Sequence, residues 1–486
     1  MNSSADQQAR RARWVLALAA VASLMTALDT LVVATALTTI QRDLGARADQ
    51  LEWTVNTYNL AVAVLLLPAA ALGERFGRRR MYALGLSVFT ASSAVCGLAP
   101  TAGLLVAGRA GQGAGAALVI ALGLALVSAA YPAERRGAAI GLLEAGAGIA
   151  VLTGPVLGGV VTQLIGWEAI FWLNVPIGLV LVPLVLLKVP EGAGRATPVD
   201  VPGLALVACA VLAVMCGITQ GNVEGWTSPR VTAALTGAGV LSIVFVAWER
   251  RAAHPLLPPH LLRNRGFVAG LAAVAALFVQ VFGGLFFFGQ LFQVVLGLDA
   301  LHTGLALLPW TSMMIVLGPL GGRVADRFGT RLPILSGLAL VVTGYAWIAL
   351  VTGVAVSYAD LVGPLVITGV GASLAMAPAS TAVVGAVAAD EVGVASGVTS
   401  MVRELAGTLG LAVMVATFTG AGGGYSSAAG FTAGFVAAAW IGTALIAAAA
   451  LVAALPRTRR RAALVGHRRE ADVFGDRNPR TSVSSR

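Results

Sequence analysis
The sequence predicts an all-α integral membrane protein with fourteen transmembrane helices, arranged as two pseudo-symmetric six-helix bundles joined by two inserted linker helices. Three observations carry that prediction. Of the 486 residues, 58% are hydrophobic and 11% charged, with a mean hydropathy of +0.86, a balance foreign to soluble globular domains. Apolar stretches of about 20 residues, enough to cross about 30 Å of hydrocarbon at 1.5 Å per residue, recur along the chain. A short string also returns at an offset of 252 residues, Gly73-Glu-Arg-Phe-Gly-Arg-Arg-Arg80 against Ala325-Asp-Arg-Phe-Gly-Thr-Arg-Leu332, each copy lying between two apolar runs. The same offset relates Leu44-Gly45 to Leu296-Gly297 and Arg13 to Arg265, so whole halves are duplicated rather than one loop. Duplicated halves that rock about a shared midplane site are the usual architecture of secondary carriers.

Taken in order, residues 1–13 form a basic amino-terminal tail and 14–190 a first bundle with spans near 14–37, 52–72, 81–99, 102–130, 138–163 and 168–188. The first run is too long for a removable signal peptide and lacks a small-residue cleavage site, so it reads as a retained helix. Residues 191–265 hold two extra spans, 201–220 and 230–249, between charged or Pro-rich loops, and these have no counterpart in the duplication. The second bundle, 266–456, contributes spans near 266–296, 304–324, 332–354, 359–385, 393–419 and 430–455, and a basic tail occupies 457–486. Of 32 basic residues, 27 fall in the tails and the alternate loops on their side; only Arg42, Arg47 and Arg230 fall opposite, with Arg109 and Arg403 inside spans. The positive-inside rule then places both termini in the cytoplasm, with an even number of crossings. The net charge of +10 is therefore an orientation and lipid-headgroup signal rather than a nucleic-acid footprint.

Few residues inside the spans are ionisable, and these are the candidate machinery. Asp29 lies about 23 Å into the first span and Arg109 about 10 Å into the fourth, which enters from the other side, so both reach the outer third at one depth. A guanidinium inside a bilayer is costly and should face the bundle interior and an anion. Desolvation pushes a buried carboxylate toward neutrality and a neighbouring arginine pulls it back, the condition for loading and releasing a proton. The alternatives are a structural ion pair between spans one and four, and snorkelling of Arg109 to the outer surface. Glu144 in span five is a candidate for a second proton or a substrate contact, and Glu404, beside Arg403 in span thirteen, for attracting a cationic substrate; each could equally be a satisfied structural carboxylate. Adjacent helical residues point about 100° apart, so Arg403 and Glu404 need not pair with each other. Phe282, Phe286, Phe287 and Phe288 could stack on flat molecules, but their all-round placement suggests that most face core or lipid.

In the repeated loops, Glu74 with Arg75, Gly77 and Arg78, and Asp326 with Arg327, Gly329 and Arg331, place a carboxylate at the start of the next helix among arginines, an arrangement that could gate the halves. A solvated turn that only fixes topology is the alternative. These strings resemble the signature loop of the major facilitator superfamily, with Ala70 and Glu74 standing where the family has glycine and aspartate. Arg109-Ala-Gly-Gln112-Gly113 is similar to its fourth-helix motif, and Leu28-Asp29-Thr30 through Leu37 to the first-helix motif of drug:proton antiporters, with Thr38 in place of the common proline. Span five, with Gly154, Pro155, Gly158 and Gly159, resembles the motif regarded as the mark of antiporters: small residues permit close helix approach and the proline bends the span. Trp167 to Gly178, Gly289 to Gly297 and Gly304 to Pro309 match the fourteen-helix drug exporters of that superfamily.

No Walker loop, Ser-His-Asp arrangement or metal-ligand spacing occurs, and three cysteines and four histidines are scattered, so neither an enzyme nor a metal site is expected. Without a nucleotide site, energy should come from a proton gradient and not from a cofactor. The resemblance implies a multidrug or antibiotic efflux carrier of a bacterial cell membrane, exchanging small amphipathic substrates for protons by alternating access. Its expected partners are substrate, protons and lipid, with no nucleic acid, and it is expected to act as a monomer. Export of one endogenous metabolite, or a non-transporting membrane scaffold, are the alternatives.

Overall fold
Why each apolar run becomes a helix follows from the solvent: with no water to satisfy backbone groups, a spanning segment must bond to itself. The computed structural model describes residues 2–45, 48–191, 200–252, 255–298, 300–388, 391–424 and 427–454; the tail 457–486, Arg47 and Arg195 lie outside them. In chain order the helices are α1 (Asn2–Leu44), α2 (Ala48–Phe76), α3 (Arg78–Gly97), α4 (Ala102–Ala130), α5 (Ala133–Leu164), α6 (Glu168–Lys188), α7 (Val201–Glu224), α8 (Pro229–Glu249), α9 (Pro259–Arg263), α10 (Arg265–Val294), α11 (Ala300–Ala306), α12 (Leu308–Phe328), α13 (Arg331–Val351), α14 (Tyr358–Gly385), α15 (Val392–Gly420) and α16 (Ala428–Ala454). Thirteen of the fourteen expected spans coincide, to within a few residues at their ends, with one long helix each, and there is no strand among the described residues. Eleven of these helices are long and apolar enough to cross a membrane. Among the long helices, α3 and α12 fall short because they carry more charge or more hydroxyl and glycine: α3 begins on three arginines and carries Ser87, Thr90, Ser92 and Ser93.

Two boundaries differ from expectation. The helix of α1 begins at Asn2, so the residues assigned to a tail extend the first span instead. The span expected at 304–324 is broken at Leu307, where α11 ends and α12 starts with Pro309 in its first turn; proline has no amide to continue the ladder but fits a helix start.

The duplication is visible in the backbone. Gly77 (φ 100°) closes the α2–α3 turn and Gly329 (φ 79°) the α12–α13 turn, positions where a side chain would be strained. One apolar core, from Ala269 to Ala453, packs α10 with α13, α14, α15 and α16, and includes Phe287, Phe288, Trp310 and Tyr345. Others occupy the amino-terminal helices, between Val15 and Val189 and around Trp167 and Phe171. Phe287 and Phe288 are thereby core residues. Between the halves, α7 lies against both α2 and α15, with Leu67, Val211, Met215 and Val398 in one cluster. Its partner α8 packs on α7 and exposes Val240, Ile243 and Val244. Asp200 ties the base of this hairpin, capping α7 through Gly203 N (3.0 Å) and accepting from Trp248 Nε1 (2.9 Å).

Candidate functional site
Five helices of the first half converge on Asp29. Arg109 Nη1 donates to Asp29 Oδ2, and Gln112 Nε2 (3.0 Å) and Asn174 Nδ2 (2.9 Å) both donate to Oδ1. Arg109 also donates through Nε to the Thr54 carbonyl (3.1 Å) and through Nη1 to Gln112 Oε1 (2.9 Å), and its guanidinium stands 4.2 Å from the Tyr58 ring centroid. Ser93 Oγ accepts from Gln112 and Asn174 and donates to the Phe171 carbonyl, and Cys96 Sγ donates to Gln112 Oε1 (3.4 Å). Asp29 is 2% exposed and Arg109 fully enclosed, so Arg109 does not snorkel. The cluster meets the rule that buried charges be paired and hydrogen-bonded. Asp29 and Arg109 were legible as intramembrane charges; Ser93, Thr54 and Asn174 were not singled out, because uncharged polar residues are common in spans.

A second pair crosses between the halves. Arg403 Nη2 on α15 donates to Glu144 Oε1 on α5 and to Ser380 Oγ (3.4 Å) on α14, while its guanidinium lies 4.9 Å from the Phe278 ring centroid. Both residues stand eleven positions into helices that start on the same face, about 16 Å deep, near the middle of a 30 Å core. Arg403 Nε is buried with no hydrogen-bond partner among the described residues. Glu404, the next residue, has no hydrogen bond or ion pair among the described residues.

The repeated loops lie on the arginine-rich face. Here one expectation is corrected: the Asp326 carboxylate reaches not the next helix but α5 of the other half, accepting from Gly137 N (2.9 Å) and Ala138 N (3.0 Å). Absent side chains allow this approach, since a Cβ on Gly137 would sit 2.6 Å from the Gly322 carbonyl oxygen and one on Gly141 2.7 Å from that of Gly318. Its counterpart Glu74 accepts from Arg78 Nε (2.7 Å) in its own half and abuts Gly393 of α15. The α2–α15 seam is otherwise similar, with Gly397 against Ala70. Arg75 and Arg327 stand over the neighbouring Phe76 and Phe328 rings, each 5.3 Å away. Among the described residues, Arg331 joins no carboxylate but donates to the Ala454 carbonyl (3.2 Å) at the end of α16, as Arg79 does to Leu186 (3.2 Å) at the end of α6. Both arginines cap the last helix of their bundle, where carbonyls lack partners. Glu191, not anticipated, accepts from Arg79 N (3.2 Å) and Nε (3.3 Å).

On α5, Gly154 and Gly158 are buried, a Cβ added at Gly159 would meet nothing within 4 Å, and the Pro155 side chain lies outside those described. Tight contacts of α5 are seen at Gly137 and Gly141. Among the described residues no group of His, Cys, Asp and Glu could hold a metal ion. Cys96 is buried, whereas Cys209 is exposed on α7.

Comparison with known proteins agrees with this geometry. Residues 19–411 match the Major Facilitator Superfamily. The multidrug resistance protein Stp of Mycobacterium tuberculosis is 38% identical over 80% of this chain and 72% of its own length. The cephamycin export protein CmcT of Amycolatopsis lactamdurans is 33% identical over 84% and 85% respectively. In structure, the human organic anion transporter TETRAN superposes with a TM-score of 0.64 at 14% identity, covering 91% of this chain and 99% of that one. The chain is accordingly a multi-pass membrane transporter rather than an enzyme, and it belongs to the major facilitator superfamily.

Proposed function
We propose that this protein exports amphipathic drugs or antibiotics from a bacterial cell in exchange for protons, with both termini and the arginine-rich face in the cytoplasm. The observation that carries this reading is the enclosed Asp29–Arg109 cluster, for which a mere scaffold has no use. Support for the cargo class comes from relatives named for multidrug resistance and cephamycin export.

Ionised, Asp29 accepts three hydrogen bonds from α4 and α6; protonated, it gives up its attraction for Arg109. Arg109 then retains Thr54, Gln112 and the Tyr58 ring, so the cation stays solvated by protein while the α1 link loosens. Each proton taken from outside thereby changes how α1 is held against α4. Alternating access requires the Asp326 clamp and the Glu144–Arg403 pair to separate, because both join the halves. The closed seam on the arginine-rich face supports a form sealed toward the cytoplasm. Energy enters through the proton gradient, and no resident cofactor is invoked.

The test is proton release from inside-out vesicles on addition of a transported dye. Wild type should alkalinise the lumen as dye enters; Asp29→Asn, present in the membrane in equal amount, should show neither signal. Unchanged dye movement in Asp29→Asn would remove that residue from the mechanism.

A further inference from the structure
We propose that an anionic phospholipid binds in the cavity over the α5–α12 seam and holds the two halves together on the arginine-rich face. The cavity, of about 470 Å³, is open and opens beside the Asp326 clamp. Its wall carries three guanidinium groups, Arg135 from α5 and Arg323 and Arg327 from α12. All three are exposed, and none makes a side-chain hydrogen bond or ion pair among the described residues. Of the two carboxylates in the wall, Asp326 is already engaged by the Gly137 and Ala138 amides, leaving Glu134 alone against three arginines. Apart from Tyr131, the rest of the lining is apolar, with Leu16 half-buried and Leu142 46% exposed.

A phosphate beside arginines with hydrocarbon immediately below is the chemistry of a lipid headgroup and its chain. Guanidinium groups match phosphate oxygens in a bidentate way, and each basic residue near a membrane surface contributes roughly 1 kcal/mol toward anionic lipid. Because the arginines come from both halves, a lipid that touches them all can do so only while α5 and α12 are apposed. Such a ligand shifts the population toward the sealed form, since its full contact set exists there alone.

The test uses purified full-length protein in detergent, titrated with phosphatidylglycerol or phosphatidylcholine and read by native mass spectrometry. Wild type should retain phosphatidylglycerol in preference, and Arg135→Gln, Arg323→Gln and Arg327→Gln should each weaken retention by about five-fold. Arg250→Gln/Arg251→Gln, which removes two exposed positive charges elsewhere on that face, should leave retention unchanged. Equal loss in that control would reduce the effect to general surface charge and overturn the site. Displacement of the lipid by millimolar inorganic phosphate would make it a free-anion site instead. Sensitivity confined to Arg135, or to the two α12 arginines, would overturn the bridging of halves, and absence of any lipid preference would overturn the proposal entirely.

Discussion

Asp29–Arg109 and Glu144–Arg403 are both carboxylate–guanidinium pairs inside the membrane core, yet they are built in opposite ways. The first lies within one half, is closed to solvent, and saturates its carboxylate with donors from three side chains. The second joins α5 to α15 across the division and, among the described residues, has one further side-chain hydrogen bond and leaves Arg403 Nε without a partner. A network complete within a rigid body survives the rocking of that body, so only a change of protonation alters it. On the proposed alternating access, a bond across the division is remade in every cycle, and a sparse set of partners keeps that step from becoming too costly. In the proposed cycle the first pair takes the proton and the second follows the arrangement of the halves.

The largest effect should come from unbalancing the complete network. Arg109→Ala leaves Asp29 enclosed and uncompensated, at a cost of about 3–5 kcal/mol, and a sharp fall in folded protein on size-exclusion chromatography of detergent extracts checks it. Asp29→Asn keeps the shape and should fold while losing proton exchange, which separates chemistry from stability. Next, Asp326→Asn weakens two hydrogen bonds made by a charged acceptor, each worth about 1.5–3 kcal/mol. Maleimide labelling of cysteines on the arginine-rich side of α5 should rise several-fold. Glu74→Gln, whose described hydrogen bond stays in its own half, should raise labelling near α15 much less. Smallest in stability terms is the inter-half pair: Glu144→Gln should slow transport by a few-fold with folding retained, and the exchange Glu144→Arg/Arg403→Glu should restore part of it. No recovery on exchange would mean that the two residues act separately.

How far the sequence could be read depended on what each residue type signals. Charges in apolar runs are rare enough to stand out, so Asp29, Arg109, Glu144, Arg403 and Glu404 were all visible as candidates. Pairing was visible only where depth along two helices could be compared, as for Asp29 with Arg109. Glu144 and Arg403 lie 259 residues apart, and their meeting depends on how the halves dock. Asp326 bonds to backbone amides, which every residue carries, so its partners on α5 left no trace in side-chain identity. The glycines that bring α5 and α12 together, Gly137, Gly141, Gly318 and Gly322, were hidden among 59 glycines. The break at Leu307 was signalled by Pro309 but lay inside an apolar run that length alone read as continuous.

The central claim is that hydrogen ions entering through the Asp29 network drive cargo outward. Its most direct test is cargo accumulation in energised inside-out vesicles when a protonophore collapses both the pH difference and the voltage. Accumulation should stop and the trapped cargo leak back to its equilibrium level. Continued accumulation against a concentration gradient with both forces at zero would contradict the account.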